Sequence, residues 1–193
     1  MPTQIRELQR QMSASIDRAD DLENRLRRNN VRVVGLPEKV EGSDPVSFFE
    51  NWLKNMLPAD TFSPFFTVER AHRVPFRPGP PGGNPRPFLA RLLHFRDRDS
   101  ILRAVRTKGE ILYANSRVSF YPDFSASVRK QRAQFTEVRA RLRDKGYKYS
   151  MMYPAKLRIV DGQKTRFFTC PTEALHWADA APRAPAARPA PPE

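Results

Sequence analysis

Asn30-Val31-Arg32-Val33-Val34-Gly35-Leu36-Pro37 is the stretch at which the sequence changes period. Its valines favour extended backbone, and Gly35 and Pro37 close the run with turn chemistry, so a short strand opening a domain is expected here. Everything before it reads as helix. From Ile5 to Asn29 neither Gly nor Pro interrupts the chain, and a heptad places Ile5, Met12, Ala19 and Leu26 at one seam position and Leu8, Ser15, Leu22 and Asn29 at the other. Charges such as Glu7, Arg10, Asp17, Arg18 and Glu23 fall off that seam. The expectation is a coiled coil over 1–28, with Ile5, Leu8, Met12, Ala19, Leu22 and Leu26 as its oligomerisation residues. A lone surface helix is the alternative, because Ser15, Ala19 and Asn29 make a weak seam. Arg18-Ala19-Asp20-Asp21-Leu22-Glu23 is similar to the Arg-hydrophobic-x-x-hydrophobic-Glu pattern of parallel trimeric coiled coils.

After Pro37, Ser43-Asp44-Pro45 supplies a helix start, and Val46, Phe49, Trp52, Leu53 and Met56 recur at helical spacing until Pro58. Phe65 to Val74 is a second strand candidate, Pro75 to Pro87 a Pro/Gly-rich loop, and Pro87 to Leu93 a third strand. A helix from about Arg96 to Lys108 would bury Ile101, Leu102 and Val105, and Ile111 to Tyr121 carries the last strand or strand pair. This order is that of the split βαβ fold, the RNA-recognition architecture, over 29–121. Its usual stacked aromatics are missing, since Arg32 and Arg91 stand on the strands that would offer them, so contacts there would be to phosphate or by guanidinium stacking.

A small α+β unit over 122–180 follows. Ser125 is a plausible N-cap for one long helix to about Lys145, with Val128, Phe135, Val138 and Leu142 as its buried stripe and Gly146 as its stop. Tyr149 to Tyr153, Leu157 to Val160 and Thr165 to Phe168 read as strands, with Asp161-Gly162 as a hairpin signal. A helix from about Pro171 to Asp179 would bury Leu175 and Trp177. The Pro/Ala-rich stretch over 181–193 is expected to be a disordered tail. The fold class expected overall is α+β.

The 193 residues carry 34 Lys+Arg against 21 Asp+Glu, a formal net charge of +13. That excess favours polyanions, because phosphate neutralisation releases condensed counterions. No apolar run approaches the roughly 20 residues that span a bilayer and Met1 is not followed by a signal-peptide core, so a soluble intracellular protein without membrane contact is expected. The single cysteine, Cys170, and the scattered His72, His94 and His176 offer no metal-ligand spacing, so neither cofactor nor metal is expected. Dispersed carboxylates, and the lack of a nucleophile constellation or a phosphate-binding glycine loop, argue against an enzyme.

Between Pro122 and Arg158 ten Lys/Arg residues face three Asp/Glu residues. On the long helix Arg129 and Arg132 share a face, as do Arg132 and Arg139. A solvated helix face is the alternative. Tyr147, Tyr149 and Tyr153 sit beside Lys145, Lys148 and Lys156, which combines stacking surfaces with phosphate partners.

Asn30 to Pro37, Arg70-Ala71-His72-Arg73, Ile101-Leu102-Arg103-Ala104-Val105-Arg106, Asp123-Phe124-Ser125-Ala126 and Tyr153-Pro154-Ala155-Lys156-Leu157, in this order, resemble the first-reading-frame protein of LINE-type retrotransposons. The resemblance runs from about Arg18 to Ala180. It implies a homotrimer built on a coiled coil, and an atypical RNA-recognition domain and a C-terminal domain that clamp single-stranded RNA, with single-stranded DNA as a second partner of the same chemistry. Nucleic-acid chaperone activity and ribonucleoprotein particles in the cytoplasm, with the nucleus as a second site, come with it. The family's binding positions fall on Arg28, Asn30, Arg32, Arg91, Arg106, Arg132 and Tyr153, to which Arg129 and Lys156 are added from the basic segment. The sequence departs from the family in a shorter coiled coil and in an uncharged loop from Pro78 to Asn84, leaving Arg77 and Arg86 at its edges. A domesticated coiled-coil adaptor without chaperone activity is the competing reading.

Overall fold

The computed structural model describes residues 2–75, 80 and 82–184, without the side chains of residues 2 and 3. The fold is α+β and divides into two compact units, residues 1–125 and 126–193.

In the first unit, helix α1 (Pro2–Leu26) precedes β1 (Asn30–Val34). Its apolar side chains have little cover from the described residues, with Ile5, Leu8, Met12, Leu22 and Leu26 all more than half exposed and Ala19 also exposed. Ile16 is equally bare and lies on the same side; strict heptad spacing had put Ser15 there instead. The helix ends before the last expected seam residue. Asn29 Nδ2 donates to Leu92 O and Leu93 O, each at 3.0 Å, so it fastens the strand entry and is no part of a helical seam.

Helix α2 (Pro45–Met56) starts where Asp44 Oδ1 accepts from Ser47 N at 3.0 Å, and proline occupies its first turn. Strands β2 (Val68–Arg73) and β3 (Phe88–Leu92) follow, then α3 (Phe95–Lys108), β4 (Ile111–Tyr113) and β5 (Ser116–Pro122). The last two form a tight hairpin, because Ala114 and Asn115 both adopt the left-handed conformation that a two-residue turn requires. The antiparallel sheet has the order β2-β3-β1-β5-β4. Strand alternation splits its residues between two faces. Val31, Val33, Phe88, Ala90 and Phe120 point to the side on which Phe49 and Leu53 of α2 and Ile101 and Val105 of α3 complete the core. Arg32, Leu89, Arg91 and Tyr121 point to the face opposite α2 and α3. Gly35 is required where β1 turns: its φ is +88°, and a Cβ there would lie 2.2 Å from Arg117 O.

Buried charge fixes the β1 exit. Arg73 is 4 % exposed, donates to both carboxylate oxygens of Glu41 at 2.8 Å, and also donates to the carbonyls of Leu36, Pro37 and Arg86. Arg86 in turn donates from its backbone N and guanidinium to Glu38. These bonds tie the descending end of the Pro/Gly loop to the turn after β1. Arg77 and most of that loop's first half lie outside the described residues.

The second unit departs from the expected single helix. α4 (Ala126–Ala133) and α5 (Thr136–Asp144) are separate, with Phe135 between them 1 % exposed and Thr136 Oγ1 donating to Ala133 O at 2.6 Å. Burying Phe135 at the break serves the core better than helical continuity, and a local threonine bond satisfies one of the freed carbonyls. Strands β6 (Lys148–Met152), β7 (Lys156–Asp161) and β8 (Lys164–Phe168) form an antiparallel meander, and α6 (Pro171–Ala180) packs against it. The β7–β8 turn residues are Gly162 and Gln163, one position later than the Asp-Gly signal, since Asp161 itself pairs with Lys164. On α6 the fully buried residues are Ala174 and Ala178, whereas Leu175 and Trp177 are only partly covered. Ala181 is buried, and Ala184 N donates to Lys145 O at 2.8 Å, so packing persists past the end of α6. The rest of the expected tail, 185–193, lies outside the described residues.

Candidate nucleic-acid interface

On the open face of the first sheet the expected binding residues meet a carboxylate that the sequence reading had not weighed. Asp123, just past β5, has a side chain with no exposure. Its Oδ2 accepts from Arg27 Nη1 at 2.7 Å and from Asn30 Nδ2 at 3.1 Å, and its Oδ1 lies 3.7 Å from Arg32 Nη1. Asn24 clamps the neighbouring turn, donating to Ser125 Oγ at 3.0 Å and accepting from Ser125 N at 2.9 Å. Asn30 and Arg32, two of the expected binding residues, therefore point towards the buried carboxylate of Asp123. The cause is tertiary: a buried carboxylate must be paired, and the two cations nearest in space are Arg27 and Arg32.

Arg91 neighbours Asn30 across the β1–β3 ladder and shares the open face with Arg32. Its Nε donates to Glu69 Oε2 at 2.9 Å, with both side chains well exposed. An exposed pair of this kind is worth only about 0 to 1 kcal/mol, so a phosphate can displace the carboxylate. The same displacement at Asp123 would strand a buried anion. Arg28 lies elsewhere, its guanidinium 3.9 Å from the Phe95 ring centroid. Arg106 sits in the last turn of α3, on the helix layer and away from the open face. His72, beside Leu89 on β2, has its pKa pushed below the ordinary imidazole value first by burial and then by the charge of Arg70.

In the second unit the expected residues do gather. Arg132, near the end of α4, donates from Nη1 to Met152 O at 3.2 Å and Pro154 O at 3.0 Å, and from Nη2 to Met151 O at 3.2 Å. Its fork thereby holds the β6–β7 turn and sets the stance of Tyr153, whose side chain is 52 % exposed. Tyr153 and Lys156 line a depression of about 280 Å³ together with Gln131, Gln134, Phe135 and Thr169. Arg129 is exposed one turn before Arg132, and α4 contains no acidic residue. Lys156 Nζ stands 4.6 Å from the Phe167 ring centroid. Arg139 does not join this face. The break between α4 and α5 separates it from Arg132, and its Nη2 donates to Thr136 Oγ1 at 3.1 Å. Of the three interleaved tyrosines, Tyr147 is buried against Trp177 and Tyr149 packs on the core, whereas Tyr153 is more than half exposed.

No group of three or more His, Cys, Asp or Glu able to hold a metal ion occurs among the described residues. No described helix is long and apolar enough to cross a membrane.

No protein-family model matches the chain. It is 28 % identical over 149 residues to the LINE-1 retrotransposable element ORF1 protein of Mus musculus, a match covering 76 % of this chain and 42 % of that protein. Over these residues the chain is similar to a LINE-type ORF1 protein. It is also 29 % identical over 153 residues to the LINE-1 type transposase domain-containing protein 1 of Mus musculus, covering 79 % of this chain and 19 % of the relative. The Homo sapiens protein of the same name is 28 % identical over 147 residues, covering 72 % and 16 %. The chain thus spans less than half the length of these curated relatives.

Proposed function

We propose that this ORF1-like chain is a non-enzymatic single-stranded RNA-binding protein and nucleic-acid chaperone that packages a retrotransposon RNA into ribonucleoprotein particles. The observation that carries the reading is the Arg132-fixed turn, which presents an exposed Tyr153 ring beside Lys156 and the acid-free helix α4. A flexible phosphate chain needs accessible cations, and its unstacked bases need a solvent-exposed aromatic ring. Arg129, Lys156 and the exposed Tyr153 offer these in the second unit, and Arg91, with its displaceable carboxylate, offers the first in the other. Arg28, Asn30 and Arg32 act in this reading mainly by holding the sheet that presents Arg91.

The strand order β2-β3-β1-β5, with both helices on one face, supports reading residues 29–121 as an RNA-recognition-like domain. Residues 122–180 form the second nucleic-acid-binding domain. The bare stripe of Ile5, Leu8, Met12, Leu22 and Leu26 supports a homotrimeric coiled coil, because apolar rows of that length on a monomer's surface mark an interface. The particles belong in the cytoplasm, with the nucleus as a second site.

Affinity for an unstructured RNA measured against salt tests the reading. Each phosphate contact contributes a log–log slope of about 0.7 for single strands, so several contacts should give a steep decline. A flat response refutes it. The adaptor reading is favoured by the way Asp123 engages Arg27, Asn30 and Arg32, and purified protein that is folded, self-associated and indifferent to RNA would establish it.

A further inference from the structure

The meander β6-β7-β8 has an outer face that meets the Tyr153 site at Lys156 and extends beyond it. Register places Lys148, Met152, Lys156, Arg158 and Phe167 on it, since Lys148 pairs with Val160, Met152 with Lys156, and Arg158 with Phe167, on the side opposite the buried Leu157 and Ile159. The carboxylate nearest in sequence, Asp161, has the opposite parity and lies 3.8 Å from Arg166. The face therefore carries cations and no acidic residue. Phe167 is 48 % exposed on the edge strand β8 opposite Arg158, with Met152 44 % exposed beside Lys156 and Lys156 Nζ over the phenyl ring. Neither Lys148 nor Arg158 forms an ion pair among the described residues.

An isolated exposed phenylalanine is commonplace, and a solvated basic strand is too. Their combination on one sheet face with no anion is a stacking platform with phosphate partners on its flanks. We propose that this face is a second contact surface for single-stranded nucleic acid, in which Phe167 stacks a base while Arg158 and Lys148 neutralise the adjoining phosphates. Charge complementarity selects a polyanion, and the bare ring selects one whose residues carry planar faces. The inference rests on the RNA-binding reading and extends it to a surface from which the fork of Arg132 and the ring of Tyr153 are absent.

The test uses the full chain, an unstructured oligonucleotide, and two variants, Phe167→Leu and Arg158→Gln. Phe167→Leu keeps apolar bulk and removes the π face, and should weaken binding at least about fivefold with the salt slope unchanged. Arg158→Gln should lower the slope by about 0.7. Photocrosslinking with 4-thiouridine RNA should label the peptide containing residues 164–168. Binding by the parent protein with neither variant affecting it overturns the platform and leaves the Tyr153 site standing. An effect of Arg158→Gln without one of Phe167→Leu overturns stacking, leaving a purely electrostatic surface. No salt-dependent binding by the parent protein brings down both readings. Thermal unfolding of each variant, expected to match the parent because Phe167 and Arg158 lie outside the buried core, separates loss of contact from loss of fold.

Discussion

Replacing Asp123 by alanine tests the assignment that most changes the site. The carboxylate is fully buried and accepts two bonds, from Arg27 at 2.7 Å and Asn30 at 3.1 Å, with Arg32 at 3.7 Å. Hydrogen bonds to a charged group contribute about 1.5 to 3 kcal/mol each, and breaking a buried pair from one side costs about 3 to 5 kcal/mol. Arg27 moderates the loss, because its side chain is 32 % exposed and keeps Glu23 at 2.7 Å, so it can rehydrate. Arg32 is 22 % exposed and Asn30 is buried, and they rehydrate less. The low end, about 3 kcal/mol, is therefore expected, which for a unit of this size is on the order of 10 °C in Tm. Urea unfolding followed by amide exchange in β1 and β5 reads the first unit directly. A double-mutant cycle with Arg27→Ala should give a coupling of at least about 1 kcal/mol. A loss under about 1 kcal/mol with no coupling would refute the argument that Asp123 organises this face.

Arg32→Ala should lower stability more than RNA affinity at temperatures well below unfolding, and the reverse ranking would contradict its structural role. Arg132→Ala should weaken all RNA sequences alike, and its effect should not add to that of Tyr153→Ala, because the fork acts by positioning the ring; a loss confined to one sequence, or full additivity, counts against this. Glu38 is held down to about 2 from an ordinary value of 4.5, chiefly by the bonds from Arg86, and the Arg73 fork holds Glu41 low as well. Both folded values lie below the unfolded ones, so both contributions are fully present above about pH 4.5 and weaken on acidification, that of Glu38 being lost as pH falls through about 2. Urea midpoints should decline over that window, and the decline should shrink in Glu38→Gln. Leu8→Asp with Met12→Asp should abolish self-association in sedimentation while leaving the amide protection of the sheet unchanged, since both residues are bare within the chain.

Much of the architecture was legible because it rests on local chemistry. The valines of β1, the Asp44-Pro45 helix start and the Gly146 stop, which has φ of +79°, act within a few residues of themselves. The excess of positive charge and the apolar spacing of α1 are likewise properties of the sequence alone. The break between α4 and α5 was not legible, because Val128, Phe135, Val138 and Leu142 fit one continuous stripe and only the core behind Phe135 divides it.

What the sequence could not determine is which cations are already neutralised. Arg32 is paired by Asp123, 91 residues away, and Arg73 by Glu41, and such partners are chosen by the sheet's register and the need to satisfy a buried anion. The sequence by itself determined that this chain is basic and α+β. Only the tertiary structure decided where that charge remains available, because burial converts some arginines into internal counterions and leaves others, with Tyr153 and Phe167, facing solvent.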